Sequence, residues 1–257
     1  MNSKAIEEWI SKIEIIDHNP NFLVLYKPEG LAFYEESPAP SLLRIVRVME
    51  QEKIIPEGER LFPVHRLDKI TSGVIIFARG RKASNILGNH FRFHRIKKIY
   101  LALSYRIPKK KQGAIVGDIQ KDRRSRWKLL RTRENPTYTF FKSFPFIRED
   151  AKYFRIFLVM PITGKTHQVR VVLKSLGSPI VGDPLYGKPS LARREDRTYL
   201  HSYGMKFTFE DKNYEYVIPP KSGVHFLHKE FQGFLKQIGN PFELPWKYKI
   251  PPLKTDL

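Results

Sequence analysis

His65-Arg66-Leu67-Asp68, followed by Thr71-Ser72-Gly73 and the apolar run Val74 to Ala78, sets one carboxylate between a basic residue and a Thr-Ser-Gly turn. The apolar run reads as a buried strand. Aspartate is a poor strand residue, so a carboxylate at a strand's mouth needs a reason to be there. A turn supplies one, because Asp and Ser close loops with their own side-chain hydrogen bonds. A reactive site supplies the other. The choice depends on a second segment, Pro161 to Arg170, reading PITGKTHQVR.

Outward from Asp68 the elements interleave irregularly. Ile6, Trp9, Ile10 and Ile13 recur at helical spacing and predict a helix over 4–16, broken by His18-Asn19-Pro20-Asn21. Ser41 predicts a cap for a helix through Glu52, with Leu42, Ile45, Val46 and Met49 on its inner face. A further helix is expected over Lys82 to His94, and strands over 22–26, 74–78, 99–106, 137–144, 153–160 and 199–208. Asp211-Lys212-Asn213 followed by Tyr214 to Ile218 signals a hairpin. This order predicts an α+β fold, one domain on a mixed, largely antiparallel sheet flanked by helices. The expected boundaries are an N-terminal helical extension over 1–20, a main domain over 21–220 and a C-terminal helical extension over 221–257. Phe226, Leu227, Phe231, Phe234, Leu235 and Ile238 form a helical stripe ended by Gly239 and Pro241. That stripe is read as packed on the domain, with an interaction module as the alternative.

Lys and Arg number 46 against 26 Asp and Glu, a formal charge of +20 over 257 residues, and the pI is near 10. Such an excess attracts polyanions, and release of phosphate counterions drives much of their binding. Nucleic acid is the expected partner. A membrane is not, because no apolar run approaches the length needed to cross one. The start, MNSKAIEEWISK, has no apolar core and is not read as a secretory signal. There is no cysteine, which excludes disulfides, thiolate nucleophiles and Cys-based metal sites. A cytoplasmic location is expected.

The two segments around Asp68 and Arg170, with others in order, resemble the RluA-type pseudouridine synthases, which isomerise uridine within RNA. FLVLYKPEG at 22–30 resembles the family's opening strand and Lys-Pro-x-Gly turn. Lys98-Ile99-Tyr100-Leu101-Ala102 resembles its Lys-x-Tyr-x-Ala element, and GSPIVGDPLYG at 177–187 its Gly-Asp-x-Leu-Tyr-Gly element. Leu200-His201-Ser202 is similar to a Leu-His-Ala. The matches span about residues 20–220.

The resemblance implies a pseudouridine synthase-like catalytic domain and an RNA substrate, transfer or ribosomal, with no cofactor and no metal. It implies Asp68 as the catalytic carboxylate, acting as nucleophile or proton acceptor at the sugar, either of which requires the ionised form. Arg170 is implied as the guanidinium that keeps Asp68 ionised and oriented. Tyr100 is implied to stack on the target base, and Arg66 to fill the gap left by the flipped nucleotide. The family often carries a separate RNA-binding module ahead of this domain. Only about twenty residues precede Phe22, so selection is expected to rest on the domain and its loops, and the protein to be a monomer. Departures from the pattern are Ile70 for an acidic residue, Lys165 for Arg, Ser202 for Ala, and Val-Val-Leu after Arg170.

Periodicity bears on Arg170 separately. Val169, Val172, Leu173 and Leu176 mark one side of a helix, and His167, Arg170 and Lys174 the other. That side suits an arginine reaching into a cleft or one facing water. For phosphate contacts, Arg123, Arg124, Arg126 and Lys128 surround Trp127, mixing cations with an aromatic as looped RNA favours. Lys109 to Lys111 and Arg92 to Lys98 are further basic clusters, and solvated surface is their alternative.

Other motifs fail. The glycine a phosphate loop needs before Gly164-Lys165-Thr166 is Val159, and the residue after His90 is Phe91, not the Glu of HExxH. No Gly-x-Ser-x-Gly elbow occurs. A hydrolase using Asp68 and His65 lacks a second carboxylate at a recognisable spacing. The rival from another class is a non-catalytic RNA-binding or assembly protein that kept the fold. It accounts for the charge but leaves Asp68, Tyr100 and Arg170 unexplained.

Overall fold

The apolar run after Asp68 is an inner strand of a sheet covered on both faces. The computed structural model describes residues 3–36, 39–56, 58, 60–122, 126–150 and 153–246. The chain opens with α1 (Ser3–Ile10), β1 (Glu14–Asn19) and β2 (Phe22–Lys27). Then come α2 (Leu42–Gln51), β3 (Leu61–Pro63), β4 (Ser72–Arg79), α3 (Gly80–Arg92) and β5 (Lys97–Ser104). Five strands follow: β6 (Gln112–Gly117), β7 (Ile119–Lys121), β8 (Trp127–Leu129), β9 (Thr137–Ile147) and β10 (Tyr153–Pro161). Helices α4 (Gln168–Ser175) and α5 (Pro189–Ala192), strands β11 (Leu200–Phe209) and β12 (Lys212–Val217), and α6 (Lys229–Ile238) complete the described chain.

The main sheet runs β1-β2-β4-β11-β5-β10-β9-β6, with β12 beside β11 and β3 beside β4, while β7 and β8 form a small separate ribbon. Among the described strands every pairing is antiparallel except β4 with β11. This is the mixed, largely antiparallel α+β fold that the sequence predicts. Alternation along β4 explains its unbroken apolar run. Ile75 and Phe77 pack with α2 residues Leu42, Ile45, Val46 and Met49 on one face. Val74, Ile76 and Ala78 pack with Ala83 and Leu87 of α3 on the other. Both faces are buried, so neither set is polar. Gly73 begins the parallel contact with φ +112°, and a Cβ there would stand 2.2 Å from the Ser202 carbonyl oxygen. Only glycine allows the approach.

Ser41 caps α2 as the sequence predicts, its Oγ accepting from the Arg44 N–H at 3.2 Å, worth about 1 kcal/mol. The expected helix over 4–16 stops at Ile10, and Glu14 to Asn19 extend along β2 as its edge partner. Residues 14–19, grouped by their sequence with a helical extension, therefore belong to the sheet. The open edge of β2 offers backbone partners, and Ile15-Ile16 are β-branched, so pairing outweighs a further helical turn. At the other end, α6 is shorter than its stripe. Phe226 lies ahead of α6 and is buried with Phe231 and Leu235 in the core of β5, β10 and α4, while Leu227 faces out. Residues 247–257 of the expected extension lie outside the described residues. No described helix is long and apolar enough to cross a membrane.

Candidate active site

Asp68 lies on the loop between β3 and β4, Tyr100 on β5 and Arg170 on α4, and all three line one cleft of about 390 Å3. The Asp68 loop is tied down from both sides. The Thr71 N–H donates to the Asp68 carbonyl at 2.9 Å, and the Gly30 N–H to the Lys69 carbonyl at 2.8 Å. Behind it, fully buried Lys27 donates to the carbonyls of Pro28 at 2.7 Å and Leu31 at 2.8 Å, and reaches that of Lys69 at 3.4 Å. Burial pushes the Lys27 pKa down to about 7, with Glu29 opposing.

Helix α4 begins on a buried amide. Gln168 Oε1 accepts from Thr163 Oγ1 at 2.8 Å and the Lys165 N–H at 2.9 Å. Its Nε2 donates to Thr139 Oγ1 at 2.9 Å and the Tyr138 carbonyl at 3.2 Å. Two residues on, Arg170 is buried. Its position opposite the apolar stripe does not face water, because the chain over 183–186 covers that side.

Arg170 meets two carboxylates, and Asp68 has the looser contact. Its fork grips Asp183, Nε to Oδ2 at 2.8 Å and Nη2 to Oδ1 at 2.9 Å, while Nη1 reaches Asp68 Oδ2 at 3.4 Å. The bidentate pair is thus with Asp183, which the sequence reading left out of the site. Asp183 Oδ1 also accepts from the N–H groups of Leu185 at 2.9 Å and Tyr186 at 3.1 Å. Its fit depends on Gly182, where φ is +76° and a Cβ would stand 2.0 Å from the Arg197 carbonyl oxygen. Burial alone would lower the Arg170 pKa, but hydrogen bonding and charge from Asp183, aided by Asp68, raise it. The guanidinium is a permanent cation.

Three further side chains belong to the cleft or its wall; the sequence reading gave His167 and Tyr186 no role and counted Lys98 only in the basic cluster Arg92 to Lys98, whereas it is buried. His167 adopts φ +56° as the N-cap of α4, a left-handed backbone costing about 1–2 kcal/mol outside glycine. Its Nδ1 lies 2.9 Å from the Tyr186 hydroxyl, which also accepts from the Trp127 N–H at 3.0 Å. The phenol has its own proton to donate to Nδ1, the pairing that satisfies both groups and puts the imidazole proton on Nε2, 3.9 Å from Asp68 Oδ2. Burial lowers the His167 pKa despite Asp68, so the ring is neutral at pH 7. Tyr186 also lies under Arg170, 4.8 Å from guanidinium to ring centre. Lys98 is the third. Its cue, a lysine inside a strand of buried residues, is visible in the sequence, whereas the backbone of His167 is not.

Tyr100 is half-buried in the cleft. Its pKa is raised by burial and then by Asp68, so it stays a phenol. Arg66 is exposed at the mouth, its guanidinium 5.0 Å over the ring of Tyr34, itself an exposed aromatic. The β7–β8 ribbon carries Arg126 and Lys128 beside the cleft, held to it by the bond from Trp127 to Tyr186. Arg123 and Arg124 lie outside the described residues. No group of His, Asp and Glu that could hold a metal ion occurs among the described residues.

A sheet of this topology, with an arginine-held aspartate and a tyrosine in one cleft, is an arrangement that known RNA-modifying enzymes share. Residues 21–175 match the family described as RNA pseudouridylate synthase. The chain is 39% identical over 216 residues to an uncharacterized RNA pseudouridine synthase of Haemophilus influenzae, covering 84% of this chain and 91% of that one. It is 29% identical over 201 residues to the dual-specificity RNA pseudouridine synthase RluA of Vibrio cholerae, covering 76% and 77%. The solved structure of human RNA pseudouridylate synthase domain containing 1 is similar with a TM-score of 0.67 at 25% identity, over 81% of this chain and 83% of that one. The chain belongs to the RNA pseudouridylate synthase family, isomerases that act on RNA.

Proposed function

We propose that the cleft takes one uridine turned out of a structured RNA, transfer or ribosomal, and that Asp68 acts on its ribose. The reaction breaks the N1–C1′ bond and forms a C5–C1′ bond, with one proton lost from C5 and one gained at N1. Atoms and electrons balance within the nucleotide. Asp68 attacks C1′ or accepts a sugar proton, and both roles need a carboxylate with free lone pairs. Arg170 favours the ionised form and, gripped by Asp183, fixes its direction. Tyr100 offers the flipped base a ring to stack on, and Arg66, with Tyr34 beneath it, fills the vacated space in the RNA. Arg126 and Lys128, with Arg123 and Arg124, hold phosphates.

The observation that carries this reading is convergence. Asp68, Tyr100 and Arg170 come from a loop, a strand and a helix far apart in sequence, yet line one cleft. Asp68, Tyr100 and Arg170 complete the cleft without a second copy, and the protein is proposed to act as a monomer. A reducing cytoplasm suits a protein without cysteine.

Asp68→Asn tests the core of it. The amide can neither attack nor take the proton, so pseudouridine formation should be lost while RNA affinity changes little. Activity retained in this variant removes Asp68 from the mechanism, and an equal loss of binding makes it a structural turn. Mapping pseudouridine in cellular RNA with and without the gene identifies the target.

A further inference from the structure

Lys98 stands two residues before Tyr100 on β5, and strand geometry sends both side chains to the same face. It lines the cleft with only 7% of its surface exposed. A lysine desolvated to that degree ordinarily holds a carboxylate. Lys98 has no ion pair or hydrogen bond among the described residues, and its ammonium lies 5.9 Å from the centre of the Phe91 ring. The titratable groups facing it are His65 from the β3–β4 loop, His94 beyond α3 and Lys165 from the β10–α4 loop. None is an anion. Asp68, in the same cleft, is held by Arg170, and Tyr100 is a neutral phenol. Burial lowers the Lys98 pKa to about 8. Burial and then the Lys98 charge push His65 down to about 3 and lower His94 as well. A cation is thus kept in a wall of neutral or positive groups, a costly arrangement until an anion arrives.

We propose that Lys98 contacts the uracil of the target nucleotide and holds the negative charge it takes when the glycosidic bond breaks. The proposal rests on the reading that this cleft receives the flipped uridine. As the N1–C1′ bond breaks, its electron pair leaves with the base and spreads over N1, O2 and O4. C5 then uses the ring's electrons to bond C1′, the C5 proton departs and N1 takes one up. A desolvated ammonium stabilises the detached base more than the neutral, attached one, and that difference accelerates the step. Phosphates are the nucleotide's other anions, and the exposed Arg92 and Lys165 on the same cleft suit them. Lys98 is recessed behind these residues.

Lys98→Met removes the charge at similar length. Single-turnover rate on an RNA with one target uridine should fall about 100- to 1,000-fold, the usual cost of one lost oxyanion donor. RNA affinity and its salt dependence should stay close to wild type, and the melting temperature should not drop, since an unpaired buried charge is removed. The ammonium is present below pH 8 and lost above it, so wild-type turnover should fall as pH rises through about 8. Lys98→Met should lack that limb. With 5-fluorouridine at the target, whose base leaves as a more stable anion, the variant should consume substrate at a rate nearer to wild type.

A wild-type rate in Lys98→Met overturns the proposal. So does a loss of affinity matching the loss of rate, which makes Lys98 a phosphate ligand, or a wild-type rate that rises through pH 8, which makes it a proton acceptor. The pH profile needs no variant and decides even where Lys98→Met folds poorly. Asp68→Asn on the same RNA separates the two levels. Activity retained there removes the reading of the cleft, whereas an inactive Asp68→Asn beside an active Lys98→Met removes Lys98 alone.

Discussion

Two carboxylates share the Arg170 guanidinium from opposite sides, and they are satisfied to very different degrees. Asp183 is wholly buried, takes two arginine hydrogen bonds and accepts two backbone N–H groups. Asp68 is 20% exposed and has one contact from Arg170, at 3.4 Å. A fully buried carboxylate that already accepts four hydrogen bonds can orient a neighbour but presents no face to a substrate. One held by a single long contact, at the edge of an open cleft, keeps its lone pairs for a substrate. The same guanidinium thus has a structural end and a working end, and its position is set by the structural one.

The largest effect that separates the two ends is on stability. Asp183→Asn leaves the buried guanidinium with only its long contact to Asp68 as counter-charge, and breaking a buried pair in this way costs about 3–5 kcal/mol. That corresponds to roughly 10 °C or more in melting temperature for a chain of this size. Asp68→Asn gives up one long, partly buried contact and should melt within about 2 °C of wild type. Thermal unfolding of both variants, beside their pseudouridine yields, checks the contrast. Equal melting temperatures would mean that the burial difference carries no energetic weight.

The same contrast marks what can be read from residues alone. The Ser41 cap, the apolar run of β4 and the strand of Tyr100 depend on neighbours a few positions away, and their patterns announce them. Strand β1 does not, because its conformation is decided by the free edge of β2. Periodicity put Arg170 opposite the apolar stripe of α4, and that is its position. Whether the opposite side meets water depended on a chain reversal at Gly182, which no helical repeat encodes. Asp183 stood in a motif matched by resemblance, yet its partner lies across that reversal. The left-handed backbone of His167 left no trace in residue type, since glycine would be the usual signal for it.

Arg170→Lys probes both ends at once, with an intermediate effect. An ammonium can hold one oxygen of Asp183 but cannot grip it as a fork and still reach Asp68. Displacing a reacting group by about 1 Å can cost on the order of 100-fold, and a fall in single-turnover rate of about that size is expected with the charge retained. Restoring wild-type rates with lysine would show that charge near Asp68 suffices and that the orientation set from Asp183 is dispensable.

The smallest effect lies farthest from the shared guanidinium, on the β7–β8 ribbon. Arg126 and Lys128 are proposed to meet phosphates, and each phosphate neutralised on looped RNA contributes about −0.7 to the slope of log affinity against log salt. Arg126→Ala with Lys128→Ala should therefore flatten that slope by about 1.4, and weaken different RNAs alike because phosphates carry no base identity. Turnover at saturating RNA should stay near wild type, since neither residue is placed against Asp68. Titrations at several salt concentrations measure the slope directly. No change in slope would make this pair solvated surface. A collapse of turnover at saturation would carry the ribbon into the working end of the site, through the bond from the Trp127 backbone to Tyr186 and the ring of Tyr186 beneath Arg170.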